Sequence, residues 1–181
     1  MPWGPQALGE GRVRFRLWAP DREQVALEIR GRDPLPMHRQ GEGWFAASAT
    51  AAPGTQYRFR LDENHAVADP ASRRQAGGVH GWSVLVDARS YGWRYPGWRG
   101  RPWEATVLME AHAGILGGFA GVARHLPQWA KLGFTAVELM PIAAFAGSRN
   151  WGYDGGRPYA VAESYGTPDA LKQLIDTAHQ L

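Results

Sequence analysis

Two carboxylates, Glu110 and Glu138, each sit in a short apolar run, Thr106-Val107-Leu108-Met109-Glu110 and Ala136-Val137-Glu138-Leu139-Met140. If the runs are neighbouring strands, the two side chains can face one another and divide acid and base work between them. The plainer reading gives each a partner from a neighbouring strand, because a buried charge must be paired. His112 follows closely and has the chemistry of a base or a metal ligand. A lone histidine at a strand end is more often a positioning hydrogen-bond donor, and no second ligand stands at metal spacing, so neither a metal nor another cofactor is expected. Further on, Trp151, Tyr153 and Asp154 coincide in Arg149-Asn150-Trp151-Gly152-Tyr153-Asp154-Gly155. They lie on a loop after the second run, a place where function concentrates, although a packed loop with ordinary turn chemistry would read the same way.

The elements that position these residues follow from periodicity. Both apolar runs are nearly continuous, as in parallel strands buried on both faces. Between them Val122, Leu126 and Trp129 recur at helical spacing and Leu132-Gly133 supplies a stop. Pro127 falls inside that pattern, so the helix is expected either to kink there or to start late. Pro141 closes the second strand, and residues 142–166 read as one long loop. Thr167 then caps a second helix with Pro168 at its first position and Leu171, Leu174, Ile175 and Ala178 along one stripe. Strand, helix, strand, helix is the beginning of a parallel α/β fold. Two parallel strands close no barrel, so the chain is expected to be incomplete and, alone, to expose apolar surface and aggregate.

The front of the chain has a different period. Over residues 11–87 apolar residues alternate in short runs: Val13, Phe15 and Leu17, then Val25, Leu27 and Ile29, then Gly43-Trp44-Phe45, Tyr57-Phe59-Leu61 and Ser83-Val84-Leu85-Val86. Turn-forming clusters at Ala19-Pro20-Asp21, Gly31-Arg32-Asp33-Pro34 and Pro53-Gly54 divide them, which predicts a small antiparallel sandwich. Residues 90–103 match neither period. Their Trp93, Trp98 and Trp103 are expected to pack across a seam between two domains, with an aromatic sugar platform as the alternative. The division is therefore a sandwich at 1–90, a Trp-rich linker at 91–103 and an α/β domain at 104–181.

Composition narrows the class. The 181 residues are 44% hydrophobic with no cysteine, which allows a packed core and excludes disulfides and thiolate metal sites. No apolar run reaches the roughly 18 residues of a membrane span, and Met1-Pro2-Trp3-Gly4 lacks the pattern of a leader, so a cytoplasmic protein without membrane partners is expected. The formal charge is +3. Arg12, Arg14 and Arg16, and again Arg58 and Arg60, alternate with apolar residues as the solvent faces of strands do, so no nucleic-acid partner is expected. Nothing in the sequence sets the oligomeric state.

Several motifs carry a family resemblance. They are Val13-Arg14-Phe15-Arg16-Leu17-Trp18-Ala19-Pro20, Pro53-Gly54-Thr55-Gln56-Tyr57-Arg58-Phe59, Asp69-Pro70-Ala71-Ser72-Arg73-Arg74-Gln75, Gly78-Val79-His80-Gly81, Glu110-Ala111-His112-Ala113-Gly114, Leu132-Gly133-Phe134-Thr135-Ala136-Val137-Glu138-Leu139-Met140-Pro141, and the Trp151-Gly152-Tyr153-Asp154 loop with Tyr165-Gly166-Thr167-Pro168. With these the chain resembles the malto-oligosyltrehalose trehalohydrolases of glycoside hydrolase family 13, in the α-amylase superfamily.

The resemblance implies a multidomain chain: an immunoglobulin-like, carbohydrate-binding-module-like β-sandwich, then the first two βα units of a TIM (β/α)₈ barrel, incomplete. It implies a retaining glycoside hydrolase that cleaves the α-1,4-glucosidic bond next to the terminal trehalose of maltooligosyl trehalose and releases trehalose. Its nucleophilic Asp, acid Glu and third Asp would lie beyond Leu181, leaving no catalytic residue in this chain. Tyr153 would stack on the glucose ring at the cleavage point, Asp154 would shape that pocket and Trp151 would brace it. Branching enzymes carry Gln where Asp154 stands. A branching or debranching enzyme, and a non-catalytic α-glucan-binding fragment, are the alternatives, and glucan contact through Trp44 or Trp82 of the sandwich is a further option. Two departures fall near the active face: a shorter loop over residues 113–119, and Gly156-Arg157-Pro158 in place of a more apolar triplet.

Overall fold

The computed structural model describes residues 3–181; Met1 and Pro2, where the reading of a missing leader begins, lie outside the described residues. Alternating burial builds the front half. In chain order its strands are β1 (Gln6–Gly9), β2 (Arg12–Trp18), β3 (Ala26–Ile29), β4 (Leu35–Pro36), β5 (His38–Arg39), β6 (Trp44–Thr50), β7 (Gln56–Arg60), β8 (Ala66–Val67), β9 (Gln75–Ala76) and β10 (Trp82–Val84). One antiparallel sheet has the order β1-β2-β6-β5. The other has β4-β3-β7-β10-β9, with β8 beside β7. Val13, Phe15 and Leu17 of β2 meet Leu27 and Ile29 of β3, Phe45 of β6, and Tyr57 and Phe59 of β7 in one buried cluster, so the two sheets share a core. Each of the larger side chains contributes about 1.5–3 kcal/mol by leaving water. The predicted antiparallel sandwich is therefore present.

The outer faces are more ordered than a plain solvent face. Glu28, buried opposite Arg58, receives hydrogen bonds from Arg58 and Arg60. Arg58 lies over the Trp82 ring at 4.3 Å, and Arg16 over Trp44 at 4.4 Å.

The 90–103 segment follows a helix of the second half, α2 (Pro168–Gln180). Tyr91 Oη donates to Asp176 Oδ2 at 2.8 Å, the Arg94 amide donates to the same carboxylate, and Trp98 stacks on His179 at 4.0 Å between centroids. Trp93 packs edge-on against Tyr91. Trp93 and Trp103 contradict the expected seam: Trp93 is 43% exposed and meets a ring of its own segment, and Trp103 is 80% exposed.

The second half begins with β11 (Leu108–Ala111), α1 (Gly118–Lys131) and β12 (Ala136–Leu139). β11 and β12 are parallel, with Glu110 opposite Glu138. Helix α1 starts at Gly118, ahead of its apolar stripe, and runs through Pro127, so it does not start late. It stops as read: the Gly133 amide bonds to Ala130 O and the Phe134 amide to Trp129 O, with Gly133 at φ +95°. Helix α2 is capped by Thr167 Oγ1, which accepts the Ala170 amide at 3.1 Å. Phe119, Val122 and Leu126 of α1 pack with Leu174 of α2 and with Val137 and Leu139.

Two expectations need correction. β11 and β12 are not buried on both faces: the helices cover one, and the other shows Leu108, Glu110 and Glu138 to solvent, because no described element packs there. Residues 142–166 are not one loop, since β13 (Ala143–Ala144) and β14 (Arg157–Val161) pair antiparallel inside them. A two-residue strand and a partner that opens on Arg157-Pro158 give no alternation to read.

Candidate functional site

Residues 145–156 connect β13 to β14 and carry Trp151, Tyr153 and Asp154. Asn150 organises the loop: its Oδ1 accepts the Gly152 amide at 2.7 Å and its Nδ2 donates to Asp154 Oδ2 at 3.1 Å. Gly152 is buried at φ +100°, and a Cβ there would stand 2.0 Å from Pro141 O. Only glycine fits, and the close approach pins the loop to the end of β12. The flanking rings are forced outward, leaving Trp151 64% and Tyr153 70% exposed.

The other side of the site is built on His112. Its Nδ1 accepts the Ile115 amide at 3.0 Å, so the ring proton resides on Nε2, which donates to Asn150 O at 2.8 Å. Tyr165 Oη donates to the same carbonyl at 3.1 Å. Burial raises the Tyr165 phenol above its ordinary pKa, which keeps it a proton donor. Gly114 leaves room for both rings: a Cβ there would stand 2.7 Å from Tyr165 Cε1 and 2.8 Å from His112 Cε1. Trp151 meets His112 edge-on at 5.6 Å.

A cavity of about 490 Å³ results, walled by His112, Ile115, Asn150, Trp151 and Tyr165 among others. Of the three residues singled out in the loop, Trp151 lines it, while Tyr153 and Asp154 are exposed and are not part of its wall. Asp154 is tied to the site through Asn150. His112 has the positioning role that a lone histidine suggests. Asn150 and Tyr165 went unread as site residues. The Asn-x-Gly spacing was a usable turn signal for the first, but nothing in a sequence marks a backbone carbonyl as the shared acceptor.

Glu110 and Glu138 stand apart from this cavity. They are directly opposite in the β11–β12 register and both exposed. Among the described residues neither has the ion-pair partner expected of a buried charge. Like charges in that position oppose one another. Among the described residues no cluster of three or more His, Asp or Glu side chains is placed to hold a metal ion, and no helix is long and apolar enough to cross a membrane.

Comparison with known proteins gives these features a context. The α-amylase catalytic-domain family matches residues 73–181. A malto-oligosyltrehalose trehalohydrolase from Saccharolobus solfataricus is 40% identical over 178 residues, which cover 96% of this chain and 32% of that protein. A 1,4-α-glucan branching enzyme from Xanthomonas oryzae pv. oryzae is 31% identical over 194 residues, covering 93% of this chain and 26% of that protein. A crystal structure of an α-amylase-named protein from Salmonella typhimurium superposes with a TM-score of 0.94 at 44% identity, over 98% of this chain and 31% of that one. The chain thus spans about a third of the length of the curated trehalohydrolase it matches.

Proposed function

Because the chain belongs to the α-amylase catalytic-domain family, we propose that it is the N-terminal portion of a retaining glycoside hydrolase that releases trehalose from maltooligosyl trehalose. The observation that carries this reading is the presentation of Trp151 and Tyr153 to solvent on a loop pinned by Gly152 and Asn150. A pyranose ring has an apolar face of CH groups that an exposed aromatic can cover, and equatorial hydroxyls that a nearby carboxylate accepts. Tyr153 stacks on the glucose at the cleavage point, Asp154 orients its hydroxyls and Trp151 braces the pocket wall. Greater identity to the trehalohydrolase than to the branching enzyme supports the choice of substrate.

In a retaining mechanism one carboxylate attacks the anomeric carbon while another, about 5 Å away, protonates the leaving oxygen. None of residues 1–181 is assigned either role. Glu110 and Glu138 are open to water and do not line the cavity beside the loop that would hold the sugar. The reading includes the division into an immunoglobulin-like sandwich (1–90), a linker (91–103) and the first two βα units of a (β/α)₈ barrel (104–181). A cytoplasmic location and the absence of nucleic-acid or membrane partners belong to it as well.

Incubating the full-length protein with maltooligosyl trehalose and, separately, with amylose tests the assignment. Free trehalose from the first is expected. New α-1,6 branch points in the second, without trehalose from the first, would replace it with the branching activity.

A further inference from the structure

The loop bearing Trp151, Tyr153 and Asp154 ends at Gly156, and the strand that follows, β14, is gripped by the sandwich at both ends. At its start Arg157 Nε donates to Val79 O at 3.1 Å, and a Cβ on Gly156 would come within 3.3 Å of Val79 Cγ1. Just past its other end, Glu163 Oε2 accepts the amides of Gly77 at 3.1 Å and Gly78 at 3.2 Å. Gly77 and Gly78 are at φ +81° and +77°, a pair of left-handed residues whose successive N–H groups converge on one anion. Between these points Val79 buries itself against Ala144 and Ala160, and the Arg73 guanidinium lies 4.7 Å above the Tyr159 ring. Beneath the turn, Asp69 is held by Tyr57 Oη and the Ala71 amide and acts electrostatically on both Arg73 and Arg157.

These contacts join residues about 80 positions apart, and they converge on the stem of the loop that carries Trp151 and Tyr153. We infer that Glu163 and Arg157 are positioning residues: through them the sandwich's 77–81 turn fixes both ends of β14 and thereby holds the 145–156 loop where Tyr153 meets sugar. The inference rests on the proposed sugar-binding role of that loop. It makes the sandwich a brace of the substrate site. Neither residue touches substrate, so their loss acts through the loop, and small displacements at a site have large kinetic effects.

The test uses the full-length protein with Glu163→Ala, Glu163→Gln and Arg157→Ala. It reads kcat and KM on maltooligosyl trehalose, the thermal midpoint, and protease nicking within residues 146–156. The expected result for Glu163→Ala is a KM raised about tenfold and faster nicking of the loop, without a matching fall in thermal midpoint. Glu163→Gln keeps an oxygen acceptor and is expected to fall between wild type and Glu163→Ala. A lower midpoint with unchanged KM and nicking would reduce the contacts to ordinary stability and overturn the inference, as would wild-type values throughout. If Glu163→Ala does not fold, Arg157→Ala carries the same readouts, and failure of both to fold would also overturn the positioning role. A wild-type protein that releases no trehalose would sink the proposed activity while nicking still decides the brace. An active wild type with indistinguishable variants would sink the brace alone.

Discussion

His112 Nε2 lies 2.8 Å from the carbonyl oxygen of Asn150, tying the end of β11 to a loop 38 residues further along the chain. The Ile115 amide donates to Nδ1, which leaves Nε2 as the donor to this carbonyl, and Tyr165 Oη reaches the same oxygen. The loop is thus oriented through its backbone, with the Trp151 and Tyr153 side chains exposed.

Replacing His112 by alanine removes the acceptor of one amide and a donor to one half-buried carbonyl. A loss of about 1–3 kcal/mol is expected, together with faster amide exchange over residues 149–154. Hydrogen exchange followed by mass spectrometry on the full-length protein checks both, since unchanged exchange in that segment would separate His112 from the loop.

Tyr153→Phe and Tyr153→Ala divide the ring from its hydroxyl. The stacking surface survives in the first and is lost in the second, so maltooligosaccharide affinity is expected to fall about tenfold only for Tyr153→Ala. The side chain is exposed, and stability is expected to move by no more than about 0.5 kcal/mol in either variant. Isothermal titration with a maltooligosaccharide beside a thermal melt reads the two quantities separately.

Gly152→Ala combines a positive φ with a Cβ aimed at Pro141 O. The strain costs about 1–3 kcal/mol, and the loop must lift from β12 to relieve it. Loss of sugar affinity comparable with that of Tyr153→Ala is expected, although no atom that touches sugar has changed.

Burial alone would push the Glu28 carboxyl up, but the hydrogen bonds and charges of Arg58 and Arg60 outweigh it and hold the group below its ordinary value of 4.5. A depressed acid contributes stability that is present above the unfolded value and lost as pH falls through the lower folded one. Acid titration of the thermal midpoint is therefore expected to show a decline below about pH 4.5 that is shallower in Glu28→Gln. Both guanidinium groups retain access to water, so that variant is expected to cost only about 1 kcal/mol at pH 7.

The sandwich was legible because β2 alternates Val13, Phe15 and Leu17 inward against arginines, and β7 repeats the pattern with Tyr57 and Phe59. β4, β5, β8 and β9 span two residues each and carry no period. Trp151, Tyr153 and Asp154 stood out by residue type. What orients the loop did not: the Asn150 carbonyl that His112 and Tyr165 share, and the 77–81 turn that meets Arg157 and Glu163, are long-range geometry that leaves no local pattern. Trp103 misled for a related reason. Large apolar surface predicts burial only where an element packs against it, and none of the described elements does.

Full-length wild type and Tyr153→Ala, assayed side by side for free trehalose from maltooligosyl trehalose, decide whether this loop serves a trehalose-releasing hydrolase. Trehalose is expected from the wild type, with a rate reduced at least about tenfold in the variant. Equal trehalose release by both proteins, or none from the wild type, would contradict that role.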